Sequence, residues 1–600
     1  MKTRRDLVLW ALFIGGVVAW AAYDRRPTTG VEEEPAAPPP ARGADLAPGA
    51  LLVDLVDSAS AQDVAGLERR YGIDLELNSV YSEEAQLQRA RVDEARLSSL
   101  VEQLGRDPLV ESAERDGMYQ TQGWWTFRPD DPLYRHQWHM DQIGMPGAWR
   151  LSRGRRAVVA VIDTGVAFRD EGESYRQVPD LAGTRFVEGY DFVDDDANPF
   201  DEHGHGTHVA GTIAQTTNNG VGVAGVAFES SVMPLRVLDR NGYGSWGDIA
   251  DAIRFAADNG ADVINMSLGG PLPSLAIWSA VRYARSRGVV VVAAAGNSGR
   301  RGVSYPGALN NVIGVSATRY DEQITWYSSW GPQVDLAAPG GDVNVDQNGD
   351  GMPDGVLQNT ILPGSPMEND YLLFNGTSMA SPHVAGVAAL IVSQGVTRPA
   401  AVERIMERTA RGGERDPEHY GAGIVDARAA LRHVQLYHGA IRLVLALIMA
   451  ALLVVPLRRR GRLDVKAGPG MLAGIVAGAC GLFVLPWATG MLVPEPFLTL
   501  LSQPVMAWDL AAFGPGGHAN PIFHSALLPL GLLLVFFGVP WLRGLVAGFA
   551  LGGAAYLGFC SLWDTVDVTW LPWAFLDHAW LWLNAIACFF VAVIVLRKGT

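Results

Sequence analysis

Three short stretches of this chain carry residue types suited to nucleophilic chemistry. VVAVIDTGV ends an apolar run on Asp163, HGHGTHVAGT holds His205 and His208, and NGTSMASPHVAG holds Ser378 at an expected helix start. A serine hydroxyl is a poor nucleophile at neutral pH and needs a base such as an imidazole within hydrogen-bond reach. The imidazole in turn needs a carboxylate to fix its tautomer and stabilise its cation. Taken singly, an Asp after a strand reads as a turn residue, a His as a satisfied polar group, and a Ser at a helix start as an N-cap. Their joint occurrence in these contexts, in the order Asp, His, Ser, points instead to acyl transfer.

Such residues must be carried by rigid elements. AVVAVID is a continuous apolar strand, as a parallel sheet buried on both faces requires. SVMPLRVL, DVINMSL, VVVVAAAG and NVIGVSA read as further strands, and helical stretches at 247–259, 274–287 and 378–394 alternate with them. The pattern predicts an α/β fold with a doubly wound parallel sheet. Chemistry in open sheets of this kind sits at strand carboxyl ends, where Asp163 falls. Upstream, residues 49–122 read as a small α+β domain of β-α-β-α-β pattern: the strand ALLVDLV, helices near 61–71 and 92–105, and the strand LVESAE.

VIDTGV, HGTHVAGT and GTSMASPHVAG closely resemble the signature segments of the subtilisin-like serine protease family (subtilases, peptidase S8), and the resemblance extends over about residues 131–432. It implies a serine endopeptidase acting on protein or peptide substrates, with Asp163 as orienting carboxylate, His205 as general base and Ser378 as nucleophile. His208, one helical turn on, is then structural. Asn297, at the end of VVVVAAAGNSG, matches the family's side-chain donor to the oxyanion, with the Ser378 N–H as the second donor. Ser267-Leu268-Gly269 and Ala294-Ala295-Gly296 match two walls of the substrate cleft, and Ser304 the base of the first specificity pocket. No acid stands at that position, so the expected preference is broad or apolar. The segments DDPLY, VPDL and NNGVGV resemble the family's high-affinity calcium site and imply Asp131, Asp180 and Asn219 as ligands. Residues 49–122 resemble its inhibitory propeptide, which would cap the cleft and be cut off between about 118 and 131.

A second calcium position is read from the residues themselves. DQNGDGMPD sets Asp346, Asn348, Asp350 and Asp354 at the first, third, fifth and ninth places of an EF-type loop, with Gly351 sixth, but Leu357 stands where a bidentate Glu belongs.

The remaining sequence addresses location. Residues 1–23 join Lys2, Arg4 and Arg5 to an apolar run and read as a signal peptide or membrane anchor; 24–48 form a Pro-rich spacer. After the peptidase domain, 131–437, the composition turns apolar. Residues 438–600 predict an all-α domain of about five transmembrane helices, at 439–457, 470–493, 523–541, 544–563 and 578–596. Arg458, Arg459, Arg460, Arg462, Lys466, Arg543, Arg597 and Lys598 then fall on the cytoplasmic side, and Glu495, Asp509, Asp564, Asp567 and Asp577 outside. This predicts a multi-pass protein of the cell membrane, in contact with the lipid bilayer, whose peptidase domain is extracytoplasmic. Asp509, His518, His524, Asp577 and His578 near the outer interface have the chemistry of metal ligands and equally that of interface residues. A net charge of −16 without a basic face excludes a nucleic-acid partner. All three cysteines, Cys480, Cys560 and Cys588, lie in the apolar region, so the reading uses no disulfide.

Overall fold

The strand expected at AVVAVID forms over Val158–Asp163 with every residue buried, so both its faces are covered. The computed structural model describes residues 46–56, 58–79, 82, 85–117, 126–413, 416–465, 468–488, 495–509, 520–536, 538–568, 571 and 574–597. The expected segment at 1–23, most of the 24–48 spacer, the stretch 118–125 and His518 lie outside the described residues. The chain divides into two compact units, Val31–Gly123 with Asn348–Met352, and a larger one built from Trp124–Gln347 and Pro353–Thr600.

In the smaller unit, β1 (Leu46–Leu55), α1 (Ala61–Tyr71), β2 (Glu76–Leu77), β3 (Leu87–Arg91), α2 (Glu94–Leu104) and β4 (Val110–Gly117) follow one another. They pair antiparallel in the order β2-β3-β1-β4. This β-α-β-β-α-β unit has one strand more than the sequence reading, because the two residues of β2 are too few to show an alternation. A capping box between Ser60 and Asp63 starts α1, and Gly72 in the left-handed conformation stops it. Leu51, Val53 and Leu55 on one face of β1 meet Leu67 of α1 and Leu97 and Leu104 of α2 in a separate core.

In the larger unit, after short helical turns between residues 134 and 148, come β5 (Val158–Asp163), α3 (His205–Ala214), β6 (Ser231–Arg236), α4 (Trp246–Asp258), β7 (Val263–Met266), α5 (Leu275–Ser286), β8 (Val290–Ala294), β9 (Ile313–Thr318) and β10 (Leu336–Pro339). These six strands pair in parallel in the order β10-β9-β8-β7-β5-β6. Val159 and Val161 of β5 enter one core, and Val158, Ala160 and Ile162 enter the other with α4 and α5. The chain leaves β5 for β6 on one side and returns to β7 on the other. The winding therefore reverses between β5 and β7, and a crevice opens at their carboxyl ends. A hairpin, β11 (Val356–Leu362) and β12 (Ser365–Phe374), precedes α6 (Thr377–Val392) and α7 (Pro399–Thr409).

The described residues between 438 and 600 are mostly helical, and their helices differ in extent from the five predicted spans. Among the described residues three helices are long and apolar enough to cross a membrane: Ala427–Arg459, Arg543–Trp563 and Phe575–Leu596. The first runs without a break through residue 438, so the change in composition there is not a structural boundary. Its apolar part is α8 (Gly439–Arg459). Within the spans expected at 470–493 and 523–541, of which 489–493 and 537 lie outside the described residues, the chain forms α9 (Pro469–Ala479) and α10 (Leu527–Phe536), of 11 and 10 residues. At 1.5 Å per residue each covers only about half of a ~30 Å hydrocarbon core. After α9 the chain turns at Gly481, whose φ is 61°, and the helix is not continued. α11 (Arg543–Trp563) and α12 (Ala574–Leu596) complete the bundle.

At one end of the bundle Arg543 pairs with Asp464 at 2.7 Å, and Leu463 bridges to Arg597. Arg458, Arg459, Arg460 and Arg462 are exposed there. α9 and α11 approach closely through Gly474 and Gly478 on one side and Gly548 and Gly552 on the other. A methyl at any of the four would strike the facing backbone. This small-xxx-small contact, which the sequence reading did not use, locks the short helix to the long one. Gly478→Leu or Gly548→Leu is expected to destabilise the detergent-solubilised chain by about 1–3 kcal/mol, read as a lower thermal midpoint. Gly470→Leu, where an added Cβ would meet only the Leu545 backbone nitrogen at 3.9 Å, is expected to change it by less than about 0.5 kcal/mol. Equal effects at all three positions would contradict the packing argument.

Candidate functional site

Asp163 ends β5 and is fully buried. Its Oδ1 accepts hydrogen bonds from His205 Nδ1 at 2.7 Å and from the Thr164 N–H at 2.8 Å, while its Oδ2 has no hydrogen-bond partner. A carboxylate only accepts, so Nδ1 of His205 carries the proton and Nε2 presents a lone pair to the crevice. Burial alone favours the neutral ring, but the charge and hydrogen bond of Asp163 outweigh it and raise the His205 pKa above its ordinary 6.5.

His205 is the first residue of α3, and the turn before it is built around Asp201, which sequence reading missed. Asp201 is buried and accepts from Thr164 Oγ1 at 2.9 Å, Thr207 Oγ1 at 2.6 Å, and the N–H groups of His203, Gly204 and Thr207, each at 2.9 Å. Thr164 Oγ1 also accepts from the Gly206 N–H at 2.9 Å. One carboxylate and one hydroxyl thus tie the end of β5 to the start of α3. His208 stands apart, as expected. Its Nε2 lies 3.0 Å from Val356 O and 3.2 Å from Leu372 O, its ring stacks on Phe374, and burial followed by the charge of His205 pushes it down to about 3.

Ser378 is the second residue of α6. Its Oγ donates to Ser267 O at 3.1 Å and makes no bond to His205 in this rotamer. Such bonds are often absent before substrate arrives, and χ1 is the torsion that redirects the hydroxyl. Ser267 also answers a second need. Pro382 lies inside α6, has no N–H, and so leaves the Ser378 carbonyl without its helical donor. Ser267 Oγ donates to that carbonyl at 2.7 Å, and its hydroxyl also contacts Ser381 Oγ at 2.9 Å and Asn265 Nδ2 at 3.0 Å. A Pro five positions after the first helical residue was the signal for this arrangement.

Asn297 follows β8. Its Oδ1 accepts from the Thr377 N–H and from Thr377 Oγ1, both at 2.9 Å, so its amide nitrogen is turned away from Thr377. Thr377 Oγ1 also accepts from the Gly296 N–H at 3.1 Å. Thr377 therefore orients Asn297 beside the start of α6, another role missed in the sequence.

A cavity of about 450 Å³ is lined by His205, by Ser267, Leu268 and Gly269, and by Leu238, Trp246, Ile249 and Ile277. The other three expected wall residues do not line it. Ala295 is buried and its carbonyl accepts from the Ser304 N–H at 2.8 Å; Gly296 sits against Ser304 Oγ. Gly270 and Tyr305 exchange backbone bonds of 2.9 Å, which brings the 267–270 and 304–305 segments side by side.

Asp131, Asp180 and Asn219 come together. Asp131 accepts the Asn218 N–H at 2.8 Å and the Asn219 N–H at 3.0 Å, and Asn219 Nδ2 donates to Asp180 at 3.3 Å. Burial, opposed by hydrogen bonds and reinforced by the Asp131 charge, pushes Asp180 up to about 7. Two buried carboxylates beside an amide suit a hard divalent cation that cancels their repulsion. In the 346–354 loop, Asn348 Oδ1 accepts the Asp350 N–H at 2.8 Å, Asp350 Oδ1 the Met352 N–H at 2.9 Å and Asp354 Oδ2 the Gln347 N–H at 2.6 Å. Asp346 lies in the same loop, and Leu357 is buried in β11.

The polar residues of the helical bundle separate into two groups. His524 bonds Asp509 at 3.1 Å and Tyr556 Oη at 3.2 Å, whereas Asp577 pairs with Arg398 at 2.6 Å and His578 with Ser561 at 3.1 Å. Among the described residues the three-membered cluster of ligating side chains within 4.8 Å is instead Asp335, Glu403 and Glu407.

Residues 154–423 match the model of the subtilase family, and residues 434–600 match a domain of unknown function (DUF5942). The chain is 40% identical over 316 residues to the thermophilic serine proteinase of Bacillus sp. (strain AK1), covering 52% of this chain and 71% of that one. It is 38% identical over 311 residues to thermitase of Thermoactinomyces vulgaris, covering 51% of this chain and all of that one. The chain belongs to the subtilase family. An extracellular protease of Xanthomonas campestris pv. campestris is 37% identical over 393 residues, covering 57% of this chain and 62% of its own. This subtilase is a serine-type endopeptidase.

In the subtilase, Ser267→Ala strands the Ser378 carbonyl and is expected to cost about 1–3 kcal/mol of stability. Adding Pro382→Ala restores a backbone donor and is expected to recover more in that background than in the unmodified protein, as a double-mutant cycle by thermal unfolding reads. Strict additivity would contradict the pairing.

Proposed function

We propose that this subtilase is a membrane-anchored endopeptidase that hydrolyses extracytoplasmic proteins through Asp163, His205 and Ser378. The observation that carries this reading is the 2.7 Å bond from His205 to the buried Asp163, which fixes the tautomer a base must have. Ser378 Oγ attacks the scissile carbonyl carbon as its proton passes to His205 Nε2. Asn297 Nδ2 and the Ser378 N–H hold the oxygen that becomes negative. The imidazolium then gives the proton to the leaving amine, and the acyl-enzyme remains. Water, deprotonated by His205, attacks that ester and frees Ser378. The apolar cavity beside His205 supports a preference for apolar side chains ahead of the cut, and Ser267, Leu268, Gly269, Ala295, Gly296 and Ser304 remain our assignment for the cleft walls.

Asp131, Asp180 and Asn219 would hold calcium, which supplies charge that clamps the surrounding loops. The 346–354 loop, with Asp346, Asn348, Asp350 and Asp354, is a weaker candidate because Leu357 cannot supply the last ligand. The β-α-β-β-α-β unit would act as propeptide. Among the described residues, three helices long and apolar enough to cross a membrane, with Arg458, Arg459, Arg460, Arg462, Arg543 and Arg597 at one end, support a multi-pass location.

N-terminal sequencing of the purified protein is expected to find a start between about 118 and 131, and the Ser378→Ala variant is expected to keep residues 49–122. The same start in both proteins would contradict self-processing by Ser378. Removing calcium with a chelator is expected to lower the thermal-inactivation midpoint by the equivalent of about 3–4 kcal/mol at saturating calcium. Asp180→Asn should abolish that difference, and an unchanged midpoint on chelation would contradict the assignment.

A further inference from the structure

The peptidase domain and the helical bundle belong to one compact unit and meet along a defined face. The Thr397 and Arg398 N–H groups donate to Thr565 O at 3.0 and 3.3 Å, and the Asp567 N–H donates to Thr397 Oγ1 at 3.0 Å. Arg398 pairs with Asp564 at 2.7 Å and Asp577 at 2.6 Å. Gln503 Nε2 donates to Ser393 O at 3.1 Å, and Gln435 Nε2 donates to Leu151 O at 3.2 Å. Gly288 stands against Asp567. The connection between the two parts is itself helical, Ala427–Arg459, with no flexible linker.

All the peptidase residues on this face lie at the end of the sheet opposite the candidate site. Gly288 precedes β8, whose far end leads to Asn297. Leu151 precedes β5, whose far end is Asp163. Ser393 follows the last residue of α6, and Ser378 stands at its first turn. The 16 residues of α6 alone span about 24 Å.

We infer that the cleft of this membrane-docked protease is held facing away from the bilayer, about 24 Å beyond the docking face, so that it cuts polypeptide segments standing clear of the membrane and spares bonds close to it. The inference rests on the membrane-anchored reading above. A substrate anchored in the same bilayer would need at least about seven extended residues, at ~3.4 Å each, to reach the site. A freely hinged domain could bend down to meet such a substrate; a domain fixed by a continuous helix and by the Arg398 pairs cannot.

The test uses the full chain in liposomes and one apolar recognition sequence in two forms. It is supplied as a free peptide, and on a single-span anchor with the scissile bond about 4, 8, 16 or 32 residues from the bilayer. The free peptide and the two long spacings are expected to be cut with kcat/KM values within about threefold of one another, and the shortest at least about 100-fold more slowly. Arg398→Glu sets like charges against Asp564 and Asp577 and loosens the dock. It is expected to speed cleavage at the shortest spacing at least about tenfold without changing that of the free peptide. If that variant does not fold, the spacing series on the unmodified chain decides alone. Cleavage at the shortest spacing as fast as at the longest would overturn the inference. Failure to cut the free peptide, or cutting of it by Ser378→Ala, would instead overturn the proposed function.

Discussion

A carboxylate excluded from water has to find donors, and Asp163 finds one of them in the imidazole of His205. That bond sets much of what surrounds it. It requires a strand that ends on the acid, a helix that begins on the histidine, and a turn between them rigid enough to hold both. Asp201 and Thr164 supply the rigidity by satisfying the amides at the start of α3. The parallel sheet provides the location, because its winding reverses beside β5 and leaves the carboxyl ends of β5 and β7 open.

Helix α6 links the candidate site to the helical bundle. Its first turn carries Ser378 and fixes Asn297 through Thr377, and its interior Pro382 obliges Ser267 to bond the Ser378 carbonyl. Its far end leads into Ser393, Thr397 and Arg398, which meet the helical bundle. One rigid rod thus separates Ser378 from the docking face.

The doubly wound core was legible because a strand buried on both faces is apolar along most of its length: β8 is so throughout, β5 up to the Asp163 that ends it, and β7 but for Asn265. The three candidate positions were legible because Asp163, His205 and Ser378 stand in characteristic local contexts. Contacts between distant segments were not. Nothing in the local sequence ties Thr377 to Asn297, Asp201 to Thr164, or His139 to His383, whose rings meet at 2.8 Å. In the C-terminal region, mean apolarity does not set helix length: among the described residues three of the five predicted spans contain a helix long enough to cross a membrane. Hydropathy registers that α9 is apolar but not that it stops after about three turns. The docking of Arg398 between Asp564 and Asp577 joins residues more than 160 positions apart, a separation at which spacing carries no information.

The most direct test of the Asp163–His205 pair is the pH dependence of kcat/KM in the unmodified protein and in Asp163→Asn. The base must be neutral to accept a proton, so activity rises with pH through the His205 pKa, and the pairing raises that value above 6.5. The expected result is an acid limb above 6.5 in the unmodified protein. In Asp163→Asn the limb should move to lower pH and kcat should fall by about 10⁴, as when the carboxylate of such a triad is neutralised elsewhere. An unmoved acid limb with near-normal turnover in Asp163→Asn would contradict the account.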